Sequence, residues 1–238
     1  MKIALAFFGI ARSLNFTIDS INKNLLKVFD DNKINYHIYF HTYKLNTYKN
    51  IRTNESSNNI DNTQYQLLHP HFFQMDDQDE IKKKLNLHLY RDKPDPWDTN
   101  YNSVDNFILA CYSKAQLVNM IKTTNVNYDY ILYCRPDVNY IQKFDLKFLK
   151  NVNNNTICIP DFHLYGDYKF NDRFCICNMN TYYIYGNIFY LLLHLSKKMP
   201  LHSETIIGKV LTSHPLNIIR IPYKFLRVRI NGTTEIIK

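Results

Sequence analysis

The chain has 238 residues, of which 45% are hydrophobic, so it is long and apolar enough for one well-buried domain and is not disordered throughout. The formal net charge of +8 suits a nucleic-acid-binding protein, but the basic residues are dispersed along the chain. The longest basic run, Lys82-Lys83-Lys84, lies in a predicted helix and is typical of a solvated face, so a nucleic-acid partner is the hypothesis we rank last.

The cysteines and the lengths of the apolar segments indicate where in the cell the protein resides. The five cysteines form no C-x-x-C pair and four lie in apolar segments, which indicates a reducing, cytoplasmic compartment. The longest later apolar run, residues 184–195, is shorter than the roughly 20 residues that a membrane span needs. We therefore expect a protein without a transmembrane segment.

The N-terminal region predicts a β-α-β unit. Residues 2–8 form a continuous apolar run that ends at Gly9, and apolar residues at helical spacing follow between residues 18 and 28. A second strand over residues 35–40 ends in His41-Thr42-Tyr43. Such a unit predicts a right-handed crossover onto a parallel sheet, so both strand ends should face the same crevice.

The next part of the chain is irregular and then helical. Residues 44–66 are polar and without periodicity, and we expect a mobile loop or insertion there. Helices are predicted over residues 79–89 and 104–122. Between them, a proline-marked loop holds Trp97, which could stack on a sugar or a base, or only anchor the loop.

The most informative strand spans residues 130–134 and ends in Arg135-Pro136-Asp137. Ligands of open α/β sheets bind beyond the carboxyl ends of the strands, and a carboxylate held there can bind a divalent cation. Asp137 could also be a turn residue after proline, and Arg135 could pair with Asp137 or Asp129 and brace the loop.

The C-terminal part alternates between strands and helices. The pattern predicts a helical turn over 145–149, strands over 156–159 and 173–177, helices over 182–196 and 202–211, and strands over 216–221 and 225–230. With the N-terminal elements this predicts an α/β fold: a single domain over residues 1–238, with a mostly parallel central sheet and helices on both faces.

The order of these elements, together with the residues at the strand ends, resembles a GT-A glycosyltransferase of the small viral or bacterial type that builds surface glycans. The resemblance covers nearly the whole chain and lies in residues 7–12, 41–43, 128–137, 171–174 and 202–204. It implies a GT-A-like, Rossmann-like domain that uses a nucleotide-sugar donor, with a UDP-sugar favoured, and a glycan or other hydroxyl acceptor. It also implies Mn²⁺ or Mg²⁺ as the cofactor that assists departure of the diphosphate.

Site residues follow from the same resemblance. The nucleotide-binding residues would be Phe8, Gly9, Arg12, His41, Thr42 and Arg135, and the metal ligands Asp137 and His202. The usual D-x-D is here Arg135-Pro136-Asp137, with one carboxylate, so a metal-independent variant stays open. A literal D-x-D at Asp77-Gln78-Asp79 precedes a helix, where acidic residues favour the helix dipole, and we interpret it as capping.

Two carboxylates are candidates for the base that takes the proton of the acceptor hydroxyl, Asp172 and Glu204. Asp172 could equally belong to a plain surface loop, and Glu204 could be an ordinary acidic residue in the first turn of a helix. His202 could also be a surface or core histidine. The alternative to an enzyme is a non-catalytic nucleotide- or glycan-binding module with a decayed site.

Overall fold

The computed structural model describes residues 1–235, and the strands at the centre of its sheet coincide with buried apolar runs of the sequence. The strands are β1 (Lys2–Phe8), β2 (Asn35–Lys44), β3 (Tyr48–Asn50), β4 (Glu55–Ser57), β5 (Phe72–Asp77), β6 (Tyr130–Cys134), β7 (Val138–Tyr140), β8 (Thr156–Pro160), β9 (Phe174–Cys177), β10 (Asn217–Ile221) and β11 (Phe225–Arg227).

The helices lie between these strands. They are α1 (Leu14–Ile21), α2 (Lys27–Asp31), α3 (Gln78–Leu85), α4 (Asn102–Thr123), α5 (Lys147–Lys150), α6 (Tyr182–Gly186), α7 (Phe189–Ser196) and α8 (Ser203–Thr212). A π-helical turn, Asn22–Leu26, joins α1 to α2.

Seven strands form the central sheet in the order β10-β8-β9-β6-β1-β2-β5. β1 pairs in parallel with β2 and β6, and only β9 runs antiparallel to its neighbours. The predicted α/β fold with a mostly parallel sheet is confirmed.

Alternation along β1 shows how the two faces of the sheet are covered. Ala4, Ala6 and Phe8 belong to a core cluster with apolar residues of α4, α6, α7 and α8. Ile3 and Leu5 belong to a second cluster with apolar residues of α1, α2 and α5. Because successive side chains of a strand point to opposite faces, helices cover both sides, as predicted.

The carboxyl ends of the central strands meet at one edge of the sheet. Phe8 at the end of β1 is in register with His41 of β2, and Phe7 is in register with Cys134, the last residue of β6. The loops that follow β1 and β6 therefore begin side by side, which is the crevice that the β-α-β unit predicted.

Some elements differ from the sequence-based expectation. Within residues 44–66, β3 and β4 pair as an antiparallel hairpin, although the sequence there shows no periodicity. β5 was not predicted, because it is an edge strand whose side chains are mostly half-buried. The helix predicted over 182–196 is interrupted at Asn187, between α6 and α7.

A small second sheet lies beyond the end of β6. β7 follows the Arg135-Pro136-Asp137 turn and pairs antiparallel with β11, so that Val138 is opposite Arg227. The strand predicted over 225–230 is therefore shorter than expected and belongs to this pair rather than to the central sheet.

Two expectations from composition can be compared with the structure. All five cysteines are buried and none forms a disulfide. Within residues 1–235, no helix combines the length and apolar character that crossing a membrane requires.

Gly186 at the end of α6 provides a test of the packing between helix and sheet. A Cβ at this position would overlap Val118 of α4 and the hydroxyl of Tyr133, which donates a hydrogen bond to the carbonyl of Tyr182. We expect Gly186→Ala to lower the free energy of unfolding by about 1–3 kcal/mol through overpacking.

Urea denaturation of both proteins measures this difference. Tyr183→Ala, at an exposed position of the same helix, is the control and should change stability by less than about 0.5 kcal/mol. Equal stability of Gly186→Ala and the parent would contradict the packing described for α6.

Candidate functional site

A pocket opens at the carboxyl ends of β1, β2 and β6. Gly9 and Ile10 line it after β1, Tyr43 lines it from β2, and Arg135 lines it after β6. Gly9 has a φ of +96°, which a glycine adopts without strain, so the backbone can turn there and leave open space in front of it.

The remaining walls come from distant parts of the chain. The β3-β4 hairpin and its turn contribute Tyr48, Asn50 and Arg52, and the loop before α4 contributes Trp97. That loop is held by Asp95, whose carboxylate accepts hydrogen bonds from the backbone N–H groups of residues 97, 99 and 101. The segment predicted to be a mobile loop or insertion, residues 44–66, thus forms part of the pocket wall.

Arginine dominates the charged lining of the pocket. Six of the eight arginines of the chain line it, whereas none of the lysines within residues 1–235 does, although lysine is the commoner residue. The six are Arg12, Arg52, Arg135, Arg173, Arg227 and Arg229. Guanidinium groups bind phosphate and carboxylate in a bidentate manner, so this selection indicates an anionic ligand.

Asp137 is the buried counter-ion of three of these arginines. Its side chain is 0% exposed and accepts two hydrogen bonds from Arg135, from Nε at 2.6 Å and from Nη2 at 2.7 Å. Arg227 Nε and Arg12 Nη2 each lie 3.4 Å from the same carboxylate. Burial alone would raise the pKa of Asp137, but the charges of Arg135, Arg12 and Arg227 hold it well below its usual range.

Glu55 has a similar role in the β3-β4 hairpin. Its carboxylate lies 3.2 Å from Arg229 Nη1 and 3.7 Å from Arg12 Nε, and accepts a hydrogen bond from the backbone of Ile230 at 3.1 Å. Although burial opposes it, the charge of Arg12 keeps the pKa of Glu55 below its ordinary value. Glu55 thereby connects the β3-β4 hairpin to Arg12 and Arg229 of the pocket wall.

Arg12 has unused donors in the pocket wall. Its side chain is 2% exposed, yet neither Nε nor Nη2 makes a hydrogen bond, because Glu55 and Asp137 lie beyond hydrogen-bonding geometry. Asn50 Oδ1, also in the wall, is buried without a partner as well. A buried donor or acceptor without a partner costs roughly 1–3 kcal/mol, so Arg12 and Asn50 are groups of the pocket wall whose hydrogen-bonding capacity is not filled by the protein itself.

Three carboxylates line the same pocket, and one of them, Glu235, accepts a hydrogen bond from Arg173. The other two are Asp172 and Glu204. Burial and then the charge of Asp172 raise the pKa of Glu204 to about 7. Ser203 Oγ donates a hydrogen bond to Glu204, and His202 Nδ1 lies 3.6 Å from it. Asp172 Oδ1 lies 3.8 Å from Arg173 Nε. A carboxyl group with a pKa near neutrality can exchange a proton with a bound substrate.

The structure brings together five of the residues predicted from the sequence. Gly9, Arg12, Arg135, Asp172 and Glu204 all line the pocket. The other five do not line it: Phe8, His41, Thr42, Asp137 and His202.

His41 is a support rather than a wall of the pocket. It is 0% exposed, and its ring is hydrogen-bonded to Ser113 Oγ at 2.8 Å and to Asp76 Oδ2 at 3.1 Å. Ser113 Oγ in turn accepts a hydrogen bond from the Gly9 N–H at 3.0 Å. This serine-histidine-aspartate chain has its serine buried in the core, so it fixes the Gly9 turn instead of supplying a nucleophile.

The residues present do not fit the predicted metal site. Both oxygens of Asp137 are occupied by arginines, and the His202 ring stacks on Trp97 with centroids 5.0 Å apart. Within residues 1–235, no cluster of three or more histidine, cysteine, aspartate or glutamate side chains is placed to hold an ion. Asp77 caps α3 by accepting from the N–H groups of Asp79 and Glu80, which confirms the capping interpretation of the literal D-x-D.

Four of the six pocket arginines were not among the predicted site residues, and neither was Glu55. The four are Arg52, Arg173, Arg227 and Arg229. Arg227 and Arg229 alternate around Val228, a pattern that places both side chains on one side of a strand and could have drawn attention to them. Glu55 is a single acidic residue in an asparagine- and serine-rich segment, and no local signal distinguishes it.

Comparison with known proteins gives similarity of structure only. No protein-family model matches the sequence, and no curated protein is similar to it. Among solved structures, the galactosyltransferase LgtC, in complex with donor and acceptor sugar analogues, is 14% identical with a TM-score of 0.47, over 89% of this chain and 70% of LgtC.

A second structure is a glycosyltransferase involved in glycosylation of the major capsid of PBCV-1. It is 8% identical with a TM-score of 0.44, over 92% of this chain and 80% of its own. At this level of likeness, neither structure says anything about the reaction of this chain.

Removal of the buried counter-ion should destabilise the protein. Asp137→Asn keeps the shape of the side chain but leaves three arginines around a neutral group, and we expect a loss of about 3–5 kcal/mol in the free energy of unfolding. Chemical denaturation measures it, with Asp31→Asn, an exposed ion pair on α2, as the control. A loss no larger than that of the control would show that Asp137 does not hold the arginines together.

Glu204 should make stability depend on pH. Its pKa is about 7 in the folded protein against an ordinary 4.5, so the neutral carboxyl contributes stability that is complete below pH 4.5 and is lost as the pH rises through 7. Between those limits, we expect the parent to lose roughly 1–3 kcal/mol relative to Glu204→Gln.

Urea unfolding of both proteins from pH 4.5 to pH 8 tests this dependence. Asp172→Asn should weaken the dependence, because it removes the charge that helps to raise the pKa of Glu204. Parallel stability curves for the parent and Glu204→Gln would show that Glu204 ionises normally.

Proposed function

We propose that the chain is a glycosyltransferase that moves a sugar from a nucleotide-diphosphate sugar, with a UDP-sugar favoured, to a hydroxyl group of a glycan or other acceptor. The observation that supports the proposal is that one pocket is lined by six arginines together with Asp172 and Glu204. Transfer with inversion at the sugar C1 uses both: positive charge where the diphosphate departs and a base where the acceptor attacks.

The arginine wall would receive the diphosphate. Arg12 and Arg135 follow the ends of β1 and β6, the edge at which open α/β sheets bind nucleotides. When the bond between the sugar C1 and the phosphate oxygen breaks, its electron pair leaves with the nucleoside diphosphate. Guanidinium groups fixed beforehand stabilise that developing charge without reorganisation.

The carboxylate pair would receive the proton. In its ionised form, Glu204 takes the proton of the acceptor hydroxyl while the acceptor oxygen forms its bond to the sugar C1. A pKa of about 7 suits this role, because the group is then partly ionised at neutral pH and still holds a proton well. Asp172, by its charge, increases the basicity of Glu204 and can accept hydrogen bonds from sugar hydroxyls.

Aromatic side chains supply a surface for the sugar or the base. Trp97 and Tyr165 line the pocket near the carboxylates, and Tyr48 lines it beside Arg12. Flat aromatic faces contact the apolar face of a sugar ring or stack on a base. The Trp97 ring also stacks on His202, which fixes its orientation.

The test is a panel of nucleotide-diphosphate sugars offered to the full chain, with and without simple sugar acceptors. Release of nucleoside diphosphate is measured. We expect at least one donor to be consumed, and Glu204→Gln to lower the rate by about 10²–10⁴-fold, the usual contribution of a general base.

Glu80→Gln, an exposed acidic residue in the first turn of α3, is the matched control and should leave the rate unchanged. Binding of the donors without any turnover would favour the non-catalytic binding module. Absence of both binding and turnover across the panel would refute the proposed function.

A further inference from the structure

Four arginines form one cluster around two buried carboxylates. We call Arg12, Arg135, Arg227 and Arg229, together with their counter-ions Asp137 and Glu55, the arginine cluster. All four arginines line the pocket, whereas Asp137 and Glu55 do not, so the arginines lie between the carboxylates and the ligand space.

We propose that the arginine cluster holds the diphosphate of the donor directly, in the place of a divalent cation, with Arg12 as its main contact. This inference rests on the proposed function, because it names the groups that bind the leaving part of the same donor. It concerns the means of binding and leaves the sugar and the acceptor open.

The charges of the cluster match a diphosphate. Within the cluster, four guanidinium groups face two carboxylates, which leaves a surplus of two positive charges. Glu235, which also lines the pocket, is paired with Arg173 outside the cluster. A diphosphate esterified at both ends carries two negative charges. Burial and the charges of Arg135 and Arg12 lower the pKa of Arg227 to about 10, although the charge of Asp137 opposes this shift. The excess of positive charge thus affects a member of the cluster itself. Arg227 nevertheless remains charged at neutral pH, so the cluster is complete before the ligand arrives.

Arg12 is held less tightly by the counter-ions than Arg135 is. Its Nε lies 3.7 Å from Glu55 and its Nη2 lies 3.4 Å from Asp137, and neither atom makes a hydrogen bond. The ring of Tyr48 lies 4.4 Å from the guanidinium carbon and limits its movement. Because Arg12 lines the pocket, an anion there would receive charge-assisted hydrogen bonds from its guanidinium group, the strong class for guanidinium and phosphate. Arg135 and Arg227 are instead engaged with Asp137, so they contribute mainly charge.

The single carboxylate after β6, Asp137, is consistent with binding of the diphosphate by arginines. A divalent cation at Asp137 would have to displace the two short hydrogen bonds from Arg135 and then lie among like charges. Asp137 instead holds three guanidinium groups in place, which would otherwise repel one another. The chemistry usually supplied by a cation beside the diphosphate is then available from the arginines themselves.

Calorimetric titration of the full chain with UDP, in excess EDTA and separately in Mn²⁺, tests the inference. We expect binding in EDTA with an affinity equal to that in Mn²⁺. Arg12→Gln should weaken the affinity in EDTA by about 10- to 100-fold, since it removes charge-assisted hydrogen bonds. Arg220→Gln, which removes an exposed arginine outside the pocket, is the matched control and should bind as the parent does.

Arg12 is buried, so circular dichroism and thermal unfolding must show that Arg12→Gln is folded. If it is not, Arg229→Gln replaces it, because that side chain is 20% exposed and its loss should still weaken binding in EDTA. UDP binding that requires Mn²⁺, or arginine variants that bind UDP as tightly as the parent, would overturn the inference while leaving the proposed function standing.

Titration with inorganic pyrophosphate distinguishes failure of the arginine inference from failure of the proposed function. Pyrophosphate binding in EDTA that Arg12→Gln weakens, in a protein that consumes no sugar nucleotide, would support the arginine cluster as a diphosphate site and overturn the proposed function. Turnover of a sugar nucleotide that EDTA abolishes would support the proposed function and overturn the arginine cluster as the diphosphate site.

Discussion

The interaction on which the site depends is the burial of Asp137 among three arginines. A fully buried carboxylate is costly unless it is paired and hydrogen-bonded, and here Arg135 supplies both oxygens with short hydrogen bonds. The other two partners come from the loop after β1 and from β11, so one charge network joins three distant parts of the chain. The small β7-β11 sheet has its structural role here, since it carries Arg227 to the end of β6.

Carboxyl groups in and behind the pocket wall have two opposite environments. Around Asp137 and Glu55, positive charge outweighs burial and holds both pKa values low, so these groups stay ionised as counter-ions. At Glu204, burial and a second acid raise the pKa to about 7, so the group can gain or lose a proton near neutrality. The same functional group thus stays ionised in one environment and titrates near neutrality in the other, because its neighbours differ.

Sequence patterns anticipate these features unequally. β1 and β6 have the predicted bounds because each is an unbroken apolar run that ends in a polar turn. Glu204, named from the sequence, lines the pocket, and the pairing of Arg135 with Asp137 was one of the alternatives that the sequence left open. Arg227, a further partner of Asp137, was not predicted, because it is 90 residues away and only the fold brings it near. The hairpin within residues 44–66 shows no periodicity, as its contacts are ion pairs and aromatic packing rather than an apolar face.

A cation bound reversibly and a cluster of arginines differ in what the protein must do before the ligand binds. An ion arrives with its charge, whereas guanidinium groups are present permanently and repel one another in the empty pocket. Buried carboxylates are the means of holding them together, and their number must fall short of the number of arginines if positive charge is to remain for the ligand. Asp137 and Glu55 meet both conditions. A second carboxylate at the end of β6 would halve the surplus positive charge of the cluster, so a single one suits the binding of a diphosphate by arginine.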